Sequence, residues 1–207
     1  TRRPRRRAPW PRARGRRTAC SRGLLLVSVR AALLDGEVDI AVHSAKDMET
    51  WLPDGIVIGA ALERDNPRDA LIGATSIASI PRGGKVGTAS QRRQAQLLAV
   101  RPDLVPVLFR GNVDTRLRKL AAGEADATFL ALAGLKRLGK AEVAGAILDT
   151  DEMLPAAGQG VIAIVHCADN AGAAAALAPL NHMPSLMCLR AERTMLSALD
   201  GNCRTPI

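Results

Sequence analysis

The sequence predicts an α/β protein of two similar lobes around a cleft, on three observations. From residue 24 onward, short apolar runs alternate with helical patterns, the arrangement of α/β layers with mostly parallel sheets. One segment echoes another. Leu33-Leu34-Asp35-Gly36-Glu37-Val38-Asp39 and Leu120-Ala121-Ala122-Gly123-Glu124-Ala125-Asp126 both read as a helix end, a glycine stop and a strand start. Finally, 207 residues that are 47% hydrophobic and 24% charged suffice for one or two buried cores.

The elements follow in order. Residues 27–34 read as a helix end stopped at Asp35-Gly36, and 38–42 and 56–62 as buried strands. Residues 85–88 form a strand leading into a helix that opens near Ser90 and stops before Pro102. A strand at 105–108, a helix at 112–122 closed by Gly123, a strand at 127–131 and a short helix at 133–138 come next. A strand at 160–165 and helices at 171–180 and 185–199 complete the chain. Two such lobes enclose a cleft, a usual place for a ligand.

Composition excludes several classes. No apolar run approaches the ~18 residues of a membrane-spanning helix, and 24–27 is too short for a secretory h-region. The net charge of +9 belongs to one end: residues 1–30 hold 11 arginines and no acid, leaving 18 basic and 20 acidic side chains elsewhere. The basicity is therefore weak support for nucleic-acid binding. Residues 1–22, rich in Arg, Pro, Ala and Gly, are expected to be a disordered tail. Cys20, Cys167, Cys188 and Cys203 have neither C-x-x-C nor zinc spacing, so free thiols in a reducing compartment are expected.

Four segments could carry chemistry. Val42-His43-Ser44-Ala45-Lys46-Asp47 ends a strand, where α/β sheets aim loops into ligand crevices. Asp47 could stabilise a cation or move a proton, and Lys46 could pair with an anion; a plain surface Lys–Asp pair is the alternative. Thr88-Ala89-Ser90-Gln91-Arg92-Arg93 opens a helix with a hydroxyl cap, free N–H groups and two arginines, an anion site in outline, or a capped helix with solvated arginines. Phe109-Arg110-Gly111-Asn112-Val113-Asp114-Thr115-Arg116 repeats the arrangement. Ala157-Gly158-Gln159-Gly160 reads as an interlobe hinge or an ordinary turn, and Gly201-Asn202-Cys203-Arg204 as an accessible thiol or an unremarkable one.

Together these segments resemble the porphobilinogen deaminase family. The resemblance is carried by Asp39 to Asp47, by Arg64-Asp65-Asn66-Pro67-Arg68-Asp69-Ala70, and by Thr88 to Arg93 and Arg110 to Arg116. It continues through 131–139, 154–160, Ala191-Glu192-Arg193 and Gly201-Asn202-Cys203. It implies two type II periplasmic-binding-protein-like lobes followed by a third α+β domain, truncated here. The division implied is a tail at 1–22, an incomplete first domain at 23–62 plus 161–180, a second at 68–155 and the start of a third at 181–207. It implies a dipyrromethane cofactor joined by a thioether to Cys203, Asp47 as the catalytic carboxylate, and Ser44, Lys46, Thr88, Ser90, Arg92, Arg93, Arg110, Arg116 and Gln159 as cofactor- or substrate-binding residues. The activity implied is hydroxymethylbilane synthase, in which four porphobilinogens lose ammonia and are joined head to tail. A cytoplasmic monomer without nucleic-acid, membrane or metal partners is expected. Residues 1–22 match nothing in the family and have the composition of an out-of-frame reading of GC-rich DNA. With an early stop at Ile207, low stability and little activity are expected. The rivals are a two-lobed receptor for a small anion, which needs no Cys203, an inactive relative, and an Arg-tail nucleic-acid binder whose affinity would fall with salt.

Overall fold

The computed structural model describes residues 31–201 together with Val29. Its strands form two sheets, and the chain crosses between them twice. Helix α1 (31–34) leads to β1 (Ala41–Ser44), a 3-10 turn at Ala45–Asp47, and β2 (Ile56–Ala61). The chain then crosses to the second sheet. There it forms β3 (Asp69–Ile72), β4 (Lys85–Gly87), α2 (Gln91–Val100), β5 (Val105–Val107), α3 (Val113–Ala121), β6 (Ala127–Ala131), α4 (Leu132–Arg137) and β7 (Ala146–Ile147). It returns as β8 (Ile162–Cys167), followed by α5 (Ala171–Leu177) and α6 (Met183–Ala198).

The first sheet has the order β1-β8-β2 and the second β5-β4-β6-β3-β7. The expectation of mostly parallel sheets is corrected: among the described strands only β4–β5 and β4–β6 pair in parallel. The crossings explain this. β8 re-enters at the edge where β1 and β2 end, so it runs opposite to both. β3 likewise enters at the edge where β6 ends, with Asp69 opposite Ala131. Neither strand is placed by a βαβ crossover, the connection that enforces parallel pairing.

Both sheets are covered on two faces. Along β8, Ala163 and Val165 join a core with Leu33, Met48, Ile56, Leu186 and Leu189, whereas Ile164 packs with Ala60 and Leu177 on the other side. That is the alternation of a strand buried on both faces. In the second sheet Leu71, Val86 and Phe129 pack with Leu97 of α2, and Ala70, Ile72 and Leu130 pack with Leu135 of α4. Helix α6 thus lies against the first sheet through Leu186 and Leu189; truncating a fully buried leucine such as Leu189 to Ala costs about 2–5 kcal/mol.

The internal echo has a geometric counterpart. In both copies the glycine takes positive φ, 69° at Gly36 and 74° at Gly123. The next amide reaches back five residues, from Glu37 to the Ala32 carbonyl and from Glu124 to the Lys119 carbonyl. Each is a Schellman stop, which redirects the chain from helix to strand.

Candidate active site where the two sheets meet

The two sheets face each other along the edges where the chain crosses. On the first sheet this edge carries the end of β1 with Ser44, Lys46 and Asp47, the start of β8 and the end of β2. On the second it carries the ends of the parallel strands β5, β4 and β6, together with Asp69 at the start of β3. The crossing segments run side by side: Leu62 N–H donates to the Ile162 carbonyl and Asp65 N–H to the Gly160 carbonyl. Gly160 has φ 89°, and a Cβ there would stand 2.3 Å from the Asp65 carbonyl oxygen. The segment 157–160, read as an interlobe hinge or an ordinary turn, is a turn: Gln159 N–H donates to the Ala156 carbonyl and Val161 N–H to the Gly158 carbonyl, and the turn is held tightly against the other crossing segment.

A polar chain crosses this junction. Lys46 Nζ donates to Gln159 Oε1 at 3.2 Å. Gln159, fully buried, donates through Nε2 to Asp69 Oδ1 at 2.8 Å and to the Pro67 carbonyl at 2.5 Å. Asp69, also fully buried, accepts from Arg92 Nη2 at 2.7 Å and from Arg93 Nη2 and Nε at 2.7 and 3.1 Å. Arg93 Nη1 donates to the Phe129 carbonyl and Arg92 Nη1 to the Leu154 carbonyl. Arg92 Nε, also buried, has no partner among the described residues. Burial alone would raise the Asp69 carboxyl; the Arg93 and Arg92 charges with their hydrogen bonds outweigh it and hold the group well below the usual carboxylate range. Burial lowers the Arg92 guanidinium, and Asp69 opposes that change.

The site residues read from sequence divide into three groups. Lys46 and Gln159 meet directly, with Asp47 half-buried beside Lys46 in the same 3-10 turn and Ser44 half-buried just before it. Thr88 and Ser90 sit at the end of β4. Ser90 caps α2 by accepting from Arg93 N–H, and Ser90 N–H donates to Thr88 Oγ1, so the capping role falls to Ser90 alone. Arg92 and Arg93, read as donors for carboxylates or as solvated side chains, are 4% and 5% exposed and turn inward onto Asp69, so the solvated reading is corrected. Arg110 lies on the neighbouring loop after β5, and Arg116 near the start of α3 that follows it. Arg110 is exposed; Arg116 is half-buried with Nε on the Gly111 carbonyl. That loop is rooted by Phe109, whose ring presses on Gly87 so closely that a Cβ there would be 2.4 Å away. Cys203 and the tail at 1–22 lie outside the described residues.

Sequence reasoning missed Asp69 as a site residue. It lies in the polar run 64–69, where nothing in composition separates it from Asp65; only the fold places two guanidiniums against it. It also missed the clamp made by Arg64, whose Nε donates to the Gln159 carbonyl and whose Nη1 pairs with Glu192 of α6. Glu192 in turn accepts from Gly158 N–H at 2.6 Å. Among the described residues there is no cluster of metal-ligating side chains, and no helix is long and apolar enough to cross a membrane.

Fold and site define a two-lobed α/β protein of the type II periplasmic-binding-protein class, with cations gathered where the lobes meet. A lipoprotein from Bacillus subtilis shares the fold, with a TM-score of 0.50 at 14% identity over 77% of this chain and 76% of its own. So does immunogenic lipoprotein A from Vibrio vulnificus, at 0.50 and 13% over 80% and 83%. Residues 17–175 match the family described as porphobilinogen deaminase, dipyrromethane cofactor binding domain, and the chain belongs to that family; the expectation that residues 1–22 match nothing in it is corrected for 17–22. The porphobilinogen deaminase of Nitrobacter hamburgensis is 52% identical over 188 residues, covering 90% of this chain and 60% of that protein. The chloroplastic porphobilinogen deaminase of rice is 50% identical, covering 90% and 52%. The chain thus spans between half and two thirds of the length of these relatives.

Proposed function

We propose that this chain is the cofactor-binding part of a hydroxymethylbilane synthase, a transferase of tetrapyrrole biosynthesis that condenses four porphobilinogens with loss of ammonia. The observation that carries the reading is one of position. The span matched to the cofactor-binding domain, 17–175, contains every described candidate from Ser44 to Gln159.

The donor set suits a ligand bearing several carboxylates. Lys46, Arg92, Arg93, Arg110 and Arg116 outnumber Asp47 and Asp69 at the meeting edges, and the buried Arg92–Asp69–Arg93 cluster keeps one uncompensated positive charge. A dipyrromethane held through Cys203 would supply the free pyrrole carbon to which the first unit is joined. Lys46, Arg110 and Arg116 bind acetate and propionate groups as point charges and forks, and Ser44 and Ser90 add hydroxyl donors. The half-buried Asp47 carboxylate stabilises the cation left when a porphobilinogen loses its amine, and it holds the proton of a pyrrole N–H.

The same reading makes the protein a cytoplasmic monomer acting on a small molecule, with no nucleic-acid, membrane or metal partner. It divides the chain into domains at 23–62 plus 161–180, 68–155 and 181–207. The burial of Leu186 and Leu189 favours counting the first half of α6 with the first domain. The test is the intact mass of the purified chain, with Cys203→Ser as control and a colour reaction for dipyrroles. An increment of one dipyrromethane, absent from the control, is expected. An unmodified mass in both would overturn the reading.

A further inference from the structure

We infer that Asp69 is the positioning residue of the site: it fixes Arg92 and Arg93 directly and Lys46 through the Gln159 carboxamide. One buried carboxylate on the second sheet thereby orders cations on both sheets. The inference rests on the reading above for what those cations bind, but its geometry does not.

The carboxamide of Gln159 can stand in only one orientation. Lys46 Nζ has donors and no acceptor, and the Asp69 carboxylate and Pro67 carbonyl have acceptors and no donor. Oε1 must therefore face Lys46, and Nε2 must face Asp69 and Pro67, as observed. A flipped amide would set NH2 against the ammonium and oxygen against two oxygens. The polarity of Asp69 is thus transmitted through a fully buried side chain to the residue next to Asp47. On the other side, Asp69 accepts both N–H groups of the Arg93 fork and one from Arg92, so neither arginine can rotate without breaking a buried ion pair. All of these side chains except Lys46 are buried. They are screened little by solvent, and the order they impose does not depend on a ligand being present.

The test reads Lys46 itself in the full chain. Its rate of acylation by an acetyl ester, measured by peptide mass spectrometry, is taken as a ratio to that of exposed Lys85. Asp69→Asn and Gln159→Met are each expected to raise the ratio about fivefold, the factor of one net hydrogen bond. The double variant is expected to go no higher, because both changes cut the same relay. A role confined to folding would lower the melting temperature and leave the ratio at the wild-type value. Unchanged ratios in folded variants would overturn the inference. If Asp69→Asn does not fold, Gln159→Met still decides, since it leaves both arginine pairs in place. A wild-type measurement decides without any variant: slow solvent exchange of the Gln159 side-chain amide protons by NMR is expected, and exchange at the rate of an exposed glutamine would overturn the inference. Intact mass of the same wild-type sample separates the two claims. An absent dipyrromethane removes the functional reading, while the Lys46 ratio continues to judge the relay.

Discussion

Replacing Asp69 by Asn should be among the most damaging single changes available to this chain. The carboxylate accepts from four N–H donors, on Arg92 Nη2, Arg93 Nε, Arg93 Nη2 and Gln159 Nε2, and it is 0% exposed. Asparagine offers one acceptor oxygen and turns an NH2 toward guanidinium groups. Two buried arginines lose their counter-charge. Removing one partner of a buried ion pair costs about 3–5 kcal/mol, a large part of the ~5–15 kcal/mol that holds a domain folded. At roughly 2–4 °C per kcal/mol for a chain of this size, the midpoint should fall by about 6–20 °C.

The pH dependence has a fixed sign. The folded-state Asp69 carboxyl lies well below the unfolded value of about 4. Between those two values the unfolded chain binds the extra proton, so stability rises with pH there. The contribution of Asp69 is complete above about pH 4 and is lost as pH falls through the folded value. Urea unfolding of wild type and Asp69→Asn from pH 7 to pH 3 should show the largest gap at the upper end, narrowing below about pH 4. A gap under ~1 kcal/mol at pH 7, or one that stays constant to pH 3, would refute the reasoning from buried charge. A control removes the ions instead of orphaning them. Asp69→Leu with Arg92→Met and Arg93→Met should recover much of the loss, because apolar replacement of a whole buried cluster is often neutral.

Three further outcomes follow from local geometry. Gly160→Ala puts a Cβ 2.3 Å from the Asp65 carbonyl at φ 89° and should cost at least ~1–2 kcal/mol in urea unfolding; a neutral result would mean the crossing segments are looser than they stand. Gly87→Ala should cost about 1–3 kcal/mol by overpacking against Phe109. Phe109→Leu should relieve part of it, so that a double-mutant cycle gives a coupling above ~0.5 kcal/mol; additivity would show that the ring does not bear on Gly87. Asn112→Ala removes the cap that accepts from Thr115 N–H and Thr115 Oγ1 and should lower stability by about 1 kcal/mol in the same assay.

Much of the fold was legible because its signals are local. The helix opening near Ser90 is capped by Ser90, one of the two hydroxyls at that turn, the helix read from Asn112 begins one residue later with Asn112 as its cap, and glycines 36 and 123 stop helices for the same reason in both lobes. Where the signal was short or tertiary, the reading slipped. The strand expected at 38–42 is Ala41–Ser44, because 35–40 is taken up by the helix stop and a turn. β3 and β7 were not read at all: one has three apolar residues behind Asp69 and the other is two residues long. The helix expected at 171–180 gives way to a 3-10 turn at Ala178–Leu180, with Pro179 at its start. Strand direction was misjudged because it depends on where the chain re-enters a sheet, which no local pattern records.

The arginines show why residue type locates a site better than it assigns roles within it. Arg92, Arg93, Arg110 and Arg116 follow neighbouring strands at one edge, and each was read as a ligand for carboxylates. Helix geometry separates them. Positions 92 and 93 fall in the first turn of α2, on the side facing β3, so their side chains run under the sheet edge to Asp69. Arg110 lies before its helix, on an exposed loop, where a charge pair is screened by salt and weakly constrained. On the proposed function, the buried pair would supply fixed charge that needs no reorganisation when an anion arrives, and the exposed residue would supply reach. If the proposed function holds, a growing chain of acidic pyrroles would use both, since its length changes while its point of attachment does not.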